Sequence, residues 1–359
     1  MIPEHAWGMD LKTHLRDYEH YDTIAFAKMR SDPVFTAFEA SWTEQREYIN
    51  DVLNALDDSD LRQEAEQRLR TIKPQKPDIT QYHVTTNTQF ENEYWSLKLD
   101  PETGAIIHLI NKPTGRIIAH SDNPLALFTY ETFSTADYDR YWHQYIRDRE
   151  FGEVRIWAHP DNTKPGLQVD QHGTWHPIVN TIHHYSNDKS MSIVITATMA
   201  TDSQRIGAPS EIMIEYRLMS TEVIEIDVQW FNKPACRLPE AFWLTFQPIT
   251  IMSGKWAIKK LDGYINPANV TNLAARTLHG FNEKIRYQEN EFHLNIHSLD
   301  AILVAPGKPS LLNFHNQLPD VRDGIHVNLY NNIWGTNFPM WFGDDARFRF
   351  SIGGCSSND

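Results

Sequence analysis

The sequence predicts a mainly β protein with an N-terminal α part: a large antiparallel β-sandwich preceded by a three-helix bundle. Residues 1–73 carry apolar side chains at helical spacing, whereas residues 74–359 hold many short alternating segments bounded by Gly, Pro and Asn. No long segment of helical period separates the predicted strands, so parallel crossover units are not expected. The stretch at residues 73–77, which contains two prolines, divides the two parts.

Three helices are predicted in the first part. The first spans about residues 10–30, and the second begins at Pro33 behind Asp32 as its N-cap. The third begins near Ser59, and the short connections between the helices make them antiparallel neighbours. Gln45 occupies the one position of the second helix's stripe that should be apolar. The apolar residues of that stripe, at steps of three and four or their sum, are Phe35, Phe38, Trp42, Ile49, Val52 and Leu56.

The β part is organised around a hairpin at residues 90–118. Residues 91–99 alternate between polar and apolar side chains, as one half-buried strand should. Asp-Pro-Glu-Thr-Gly at residues 100–104 then supplies a turn, in which the glycine provides the positive φ. An apolar strand returns over residues 105–110, and residues 111–116 turn the chain again.

Composition excludes several classes of function. The net charge of −14 argues against a nucleic-acid partner or an anionic membrane surface. Two cysteines, Cys236 and Cys355, provide neither a disulfide framework nor a zinc cluster, which favours a reducing compartment. No apolar run is long enough for a membrane span, and residues 1–11 lack the pattern of a signal peptide. A cytoplasmic location is therefore expected.

A candidate carbohydrate-binding segment lies at residues 328–341, where amides and aromatic rings alternate in a loop that contains Gly and Pro. Amides exchange hydrogen bonds with sugar hydroxyls, and rings stack on C–H faces. The same composition also fits a structural plug, in which the asparagines cap turns and the rings lie in the core; both interpretations stay open. The candidate residues are Tyr330, Asn331, Asn332, Trp334, Asn337 and Trp341.

Two other features are weaker candidates. Residues 130–142 are aromatic and acidic, and they are expected to leave the sandwich as a helical lid that packs on it or lines a site. Histidines also occur in close pairs, but positions four apart on a strand lie roughly 13 Å from each other, too far to share one metal ion. These pairs are His172 and His176, His183 and His184, and His293 and His297.

The two turns at residues 100–104 and 111–116 resemble the entry to the sandwich of galactose-mutarotase-like domains. Such domains form the C-terminal part of α-mannosidase-type glycoside hydrolases. Two further segments resemble an uncharacterised, unknown-function branch of proteins similar to glycoside hydrolase family 38: Glu-His-Ala-Trp-Gly at residues 4–8 and Ser-Trp-Thr-Glu-Gln-Arg at residues 41–46. The candidate loop at residues 328–341 is similar to the C-terminal signature of the same branch.

The resemblance implies a zinc ligand at His5, which matches a metal-binding histidine of family 38 by its place at the head of the bundle. Ala6 stands where that family has an aspartate, which is a departure from its motif. One histidine cannot hold zinc, because a catalytic site needs about three protein ligands. Zinc is therefore expected only if a catalytic domain missing from this chain completes the site.

The resemblance implies the non-catalytic C-terminal portion of a family-38-like protein, lining a carbohydrate site. In that family the nucleophile and the acid come from an α/β barrel, which would be missing or separately encoded, so no catalytic residue is assigned here. One alternative is a free-standing carbohydrate-binding or scaffolding module without chemistry. Another is an enzyme similar to sugar epimerases, which hold a histidine and a glutamate against a sugar ring.

Overall fold

The computed structural model describes residues 21–57, 59–146, 164, 166–251, 254–290, 292–334 and 340–354. Within these ranges the α-helices are α1 (Thr23–Met29), α2 (Pro33–Ala55), α3 (Asp60–Ile72), α4 (Thr135–Tyr145) and α5 (Thr201–Ile206). The strands are β1 (His83–Thr85), β2 (Gln89–Glu91), β3 (Trp95–Leu99), β4 (Ile106–Asn111), β5 (Arg116–Ala119), β6 (Leu125–Thr132), β7 (Gly173–Trp175), β8 (Ile178–Ser186), β9 (Ser190–Thr198), β10 (Glu211–Met219), β11 (Val223–Phe231), β12 (Glu240–Phe246), β13 (Lys255–Lys260), β14 (Gly263–Ile265), β15 (His279–Gly280), β16 (Lys284–Glu289), β17 (Phe292–Ser298), β18 (Leu303–Pro306), β19 (Ile325–Asn331) and β20 (Ala346–Gly354).

The strands form two large antiparallel sheets. The first sheet has the order β1-β8-β9-β10-β11-β20-β17-β16-β13-β14. The second has the order β15-β18-β19-β12-β6-β4-β3-β2, with β5 beside β4 and β7 beside β6. The predicted fold class, a mainly β antiparallel sandwich with helices at its N-terminal side, is confirmed.

Aromatic rings hold the two sheets together. Trp230 of the first sheet stacks on Phe242 of the second, with ring centroids 4.7 Å apart. Phe128 and Tyr130, from the strand beside Phe242, lie 5.7 and 5.0 Å from the same ring. None of these four side chains is exposed. Such rings each bury a large apolar area, which places the main core between the sheets.

The turn at residues 100–104 has the predicted conformation. Gly104 has a φ of +78°, and its carbonyl accepts a hydrogen bond from the Tyr216 hydroxyl of the opposite sheet at 2.9 Å. A Cβ at this glycine would lie 3.1 Å from Ile195. The glycine is therefore required both by the backbone and by the close approach of the first sheet.

The prediction of one continuous strand over residues 91–99 is wrong. The chain instead forms two antiparallel strands, β2 and β3, joined by a tight turn. The Asn92 side-chain oxygen accepts hydrogen bonds from the backbone N–H groups of Tyr94 and Trp95 at 3.0 and 2.8 Å. An asparagine side chain that satisfies two backbone donors in this way favours a turn over a strand.

α2 and α3 begin where the sequence predicts, but the packing of the helices differs from the prediction. α2 starts at Pro33, and the Ser59 side chain caps α3 by accepting from the N–H of Arg62. Only the N-terminal half of the α2 stripe is buried, since Ile49 and Val52 are 52% and 63% exposed.

The predicted three-helix bundle is not confirmed by the described residues. α3 buries none of its side chains, so it does not close a shared core with α1 and α2. The prediction of one helix over residues 10–30 is wrong at residues 21–22, because α1 begins at Thr23 behind Asp22, an extended N-cap whose side chain accepts from the N–H of Ala25. Residues 10–20 lie outside the described ranges. The division of the chain at residue 73 stays a prediction, although α3 does end at Ile72.

No helix among the described residues combines the length and the apolar composition that crossing a membrane requires.

Candidate functional site

A row of outward-facing residues crosses the second sheet at the end of β6. Glu131 and Asn331 both pair with Ala241, which lies on the strand between them. Directly paired residues in an antiparallel sheet share a face, so these side chains project on the same side. Because Tyr130 and Tyr330 pair with Phe242 and point into the core, the Glu131 row must face outward.

Glu131 belongs to a cluster of two carboxylates and one imidazole, which we call the Glu131–Asp137–His172 cluster. The His172 Nε2 atom lies 3.1 Å from Glu131 Oε1, and its Nδ1 atom lies 3.1 Å from Asp137 Oδ2. The second oxygen of Glu131 accepts from the Trp243 indole N–H at 2.6 Å. The two carboxylates are nearly buried, whereas 40% of the histidine side chain is exposed. The imidazole thus forms the solvent-facing edge of the cluster.

Local sequence places each member of the cluster. Asp137 is the third residue of α4, where it forms a capping box with Ser134. His172 directly precedes β7, which pairs with the end of β6 and so carries the histidine to Glu131. The residue after it is Gly173, where an added Cβ would lie 2.0 Å from the Trp175 ring. A larger residue at position 173 would clash with the Trp175 ring, so glycine fits this position best.

The electrostatics of the cluster keep His172 protonated and Asp137 ionised at neutral pH. Hydrogen bonds to Asp137 and Glu131 raise the pKa of His172 to about 9. Burial alone would raise the pKa of Asp137, but hydrogen bonds from His172, Ser134 and Arg140 outweigh it and hold that pKa well below its usual range. An imidazolium is therefore held between carboxylates.

A second apolar cluster covers the middle of this sheet face. Trp243 and Phe133 are buried in it, and Trp334 packs against it while staying partly exposed. The Tyr138 hydroxyl of α4 donates to the Ile333 carbonyl at 3.0 Å, which ties the predicted lid to the candidate loop. Residues 135–145 are thus a packed helix, one of the two roles that the sequence left open for this excursion.

Three of the six candidate loop residues have structural roles, and Asn332 and Tyr330 are the first two. Asn332 is 1% exposed, and its side chain accepts from the N–H of Glu240 and donates to the carbonyls of Cys236 and Leu238. Tyr330 faces the core, with its ring centroid 5.8 Å from that of Phe242. Asn332 presents no surface to a sugar, so the proposed sugar contact is corrected for that residue, whereas Tyr330 is half-buried.

Trp341 also has a structural role rather than a sugar-facing one. It is 2% exposed, and its ring lies against α1 and α2, 5.0 Å from Phe26 and 4.7 Å from Trp42. Its indole N–H donates to Glu39 at 2.8 Å. The ring docks the helices on the sandwich, which is why the N-terminal half of α2 is buried and the rest is not.

Of the remaining candidates, Asn331 and Trp334 lie in the described part of the chain. Asn331 is half-buried and donates to the Asn328 side chain at 2.9 Å, beside the Glu131 row. Among the described candidates of the loop, Tyr330, Asn331 and Trp334 are the partly exposed residues. His5 and Asn337 lie outside the described ranges. Within those ranges no group of three or more His, Cys, Asp or Glu side chains could hold a metal ion.

Sequence reasoning noted His172 and the segment that contains Glu131 and Asp137, but it did not bring them together. The segments meet through the β6–β7 pairing, whose paired residues lie 41 to 45 residues apart in the chain. The one available signal was the Ser-x-x-Asp spacing of Ser134 and Asp137, which predicts a helix start and a fixed carboxylate.

Several solved structures are similar to the chain at low identity. An α-mannosidase from Enterococcus faecalis is 10% identical, with a TM-score of 0.48, over 75% of this chain and 29% of that one. A glycosyl hydrolase family 38 protein from the same organism is 12% identical, with a TM-score of 0.47, over 79% of this chain and 32% of that one. A galactose mutarotase-like protein from Lactobacillus casei is 10% identical, with a TM-score of 0.40, over 76% of this chain and all of that one.

The chain spans about a third or less of the length of the two Enterococcus proteins, and likenesses at this level assign no activity. No curated protein matches the chain. A family described as a domain of unknown function, DUF5054, matches residues 1–227. Because this match covers more than half of the sequence, the chain belongs to the DUF5054 family.

Proposed function

We propose that this chain is the sandwich portion of a protein similar to glycoside hydrolase family 38, and that it lines a carbohydrate site at the Glu131–Asp137–His172 cluster. The observation that carries the proposal is a charged, partly exposed imidazole held between two nearly buried carboxylates, on the outer face of a sheet. A sugar hydroxyl is both donor and acceptor, so it matches a surface that offers both kinds of group.

The surroundings of the cluster supply further contacts for a sugar. Arg140, which pairs with Asp137 at 2.9 Å, is about half exposed and keeps donors for a ligand. The partly exposed Trp334 ring packs on the apolar cluster that also contains Phe133, whose buried ring lies 5.5 Å from the His172 ring. Charged planar groups beside aromatic rings are the combination that binds the polar edge and the C–H face of a sugar.

The electrostatics favour a binding role over a catalytic one. Retaining glycoside hydrolysis needs one carboxylic acid that stays protonated, which requires a raised pKa. The pKa of Asp137 is instead held low, so this carboxyl cannot act as that acid at neutral pH. The chemistry would come from an α/β barrel outside this chain, with zinc bound partly by His5; a free-standing binding module remains the alternative.

An epimerase-like activity is less well supported by the geometry. Such an enzyme needs its glutamate and its histidine on either side of a sugar ring. Glu131 and His172 lie 3.1 Å apart and contact each other directly, which leaves no room for a ring between them.

Saturation-transfer NMR with methyl α-D-mannoside as the probe tests the proposal. We expect a signal with the intact chain and about tenfold weaker binding in His172→Gln, because hydrogen bonds to charged groups contribute about 1.5–3 kcal/mol. His120→Gln is the matched control, since His120 is exposed and far from the cluster in the sheet. Equal binding by the wild type and His172→Gln, or no binding by the wild type, would contradict the proposal.

A further inference from the structure

A groove of about 590 Å³ lies on the outer face of the first sheet, on the side of the sandwich away from the Glu131–Asp137–His172 cluster. Its floor is formed by outward residues of β10, β11, β17 and β20, and α3 forms one wall. This volume lies within the range of roughly 300–1,000 Å³ found for ligand sites. Most ligand pockets are mainly apolar, so the charged lining of this one calls for a polar ligand.

Three arginines of the floor are fixed by carboxylates. Arg347 donates to Asp227 at 2.9 Å, and a further N–H of its guanidinium donates to the Thr71 carbonyl of α3 at 2.7 Å. Arg349 donates twice to Asp300, at 2.9 and 2.8 Å. Each guanidinium has five N–H donors, so these bonds leave some of them for a ligand. The donors are held in place before any ligand arrives.

The third arginine and the helix wall complete the array. Arg217 lies between Glu215 and Glu225, with contacts of 3.1 and 2.8 Å. On α3, Arg70 reaches the groove from an exposed position. The linker after α3 is attached to the sheet, because the Gln75 backbone exchanges two hydrogen bonds with the Gln229 side chain at 2.7 and 3.0 Å. The helix wall is thereby fixed beside the floor.

Carboxylates offset the arginine charges of the groove. Arg70, Arg217, Arg347 and Arg349 line it together with Glu225 and Asp227. Two further carboxylates outside the lining, Glu215 and Asp300, pair with Arg217 and Arg349. Desolvation and the nearby Lys284 charge lower the pKa of His297, so this lining residue is neutral at neutral pH. In a chain with a net charge of −14, a balanced groove gives no long-range attraction for an anion.

From these features we propose that the groove binds a neutral, hydroxyl-rich ligand, namely an oligosaccharide. Fixed guanidinium donors alternate with carboxylate acceptors across the floor, and a sugar hydroxyl can satisfy one of each. The exposed Leu299 side chain, at the groove's margin, offers an apolar contact for a C–H face. The proposal does not depend on the first carbohydrate site, because the two share no residue.

Isothermal titration with mannotriose, a neutral trisaccharide, tests this site in the full chain. We expect at least tenfold weaker groove binding in Ser351→Trp, which fills the floor, and a smaller loss in Arg70→Ala, which removes one donor group on an exposed helix face. Arg68→Ala is the matched control, because Arg68 lies on the same helix, is 79% exposed and does not line the groove.

The variants of the two sites separate the two proposals. His172→Gln should leave the groove binding unchanged, and Ser351→Trp should leave binding at the cluster unchanged. With the cluster disabled by His172→Gln, mannotriose binding that survives both Ser351→Trp and Arg70→Ala would overturn the groove proposal, as would the absence of mannotriose binding in His172→Gln alone. Displacement of mannotriose by millimolar phosphate would also overturn it, because an anion site would then be the better description.

Discussion

Trp341→Ala is expected to lower the free energy of unfolding by about 3–5 kcal/mol, the range for truncating a buried aromatic side chain. The ring contacts Phe26, Phe35, Phe38 and Trp42, so its removal empties the interface between the helices and the sandwich. Urea unfolding measures the loss. Hydrogen exchange should show it concentrated in α1 and α2, because those helices have little other buried area.

The control for this variant is Ile49→Ala, at an exposed position of the same apolar stripe. It should change stability by no more than about 0.5 kcal/mol. A sugar-stacking role for Trp341 would produce the reverse pattern: a small change in stability and a clear loss of methyl α-D-mannoside binding. That pattern would contradict the docking role assigned to this ring.

Lys233→Met is expected to destabilise the protein by about 3–5 kcal/mol, because it leaves a buried carboxylate without its partner. Lys233 and Glu240 have no exposed side-chain surface, and their charged atoms lie 2.6 Å apart. Glu240 also accepts from the Tyr130 hydroxyl at 2.9 Å. Burial raises the pKa of Glu240 even beside the lysine, so losing the lysine makes the ionised form still less favourable. Chemical denaturation at pH 7 measures the change.

The double variant Lys233→Met/Glu240→Gln should recover part of this loss, since it removes both buried charges together. Lys189→Met, at an exposed turn between β8 and β9, is the matched control and should have little effect. A single variant as stable as the wild type would show that the ion pair makes no net contribution.

Alternation of apolar and polar residues is sufficient to predict the fold class and the strand at residues 105–110, which is β4. β8 was missed because its sequence, which includes His183 and His184, is too polar to indicate a strand; its pairing with β9 stabilises it instead. At Asn92 the pattern predicts a strand where the structure has a turn, because polar and apolar residues keep alternating through that turn. The two hydrogen bonds that the Asn92 side chain accepts from the backbone stabilise the turn and outweigh the strand pattern of the sequence.

Helical periodicity identified the apolar face of α2 but not its partner. Phe35 and Ile49 belong to the same stripe, yet only Phe35 is buried, because Trp341 reaches only the first half of the helix. Trp341 lies 302 residues from its hydrogen-bond partner Glu39, and no local pattern encodes a contact at that separation. Both interpretations of the candidate loop were therefore reasonable from sequence, and tertiary contacts decide between them residue by residue.

The Glu131–Asp137–His172 cluster illustrates a similar limit. Each residue has an ordinary sequence context, and the chemistry arises only where β7 pairs with β6. Spacing alone does not single out a glutamate–histidine pair.

We propose that this chain lines a carbohydrate site and that the hydrolysis is performed by a part of the protein outside residues 1–359. Catalysis of the family-38 kind needs a metal, a nucleophile and an acid positioned together, and losing any essential member removes most of the rate. Asp137 is held ionised and so cannot supply the acid, and His5 is the one zinc ligand that the resemblance assigns to this chain.

The most direct test is to express residues 1–359 and to measure the hydrolysis of aryl α-mannosides with and without added Zn²⁺. We expect no turnover above the uncatalysed rate under either condition, together with binding of methyl α-D-mannoside by the same sample. Zinc-dependent turnover that disappears in His5→Ala would show a complete catalytic site within this chain and would contradict the account.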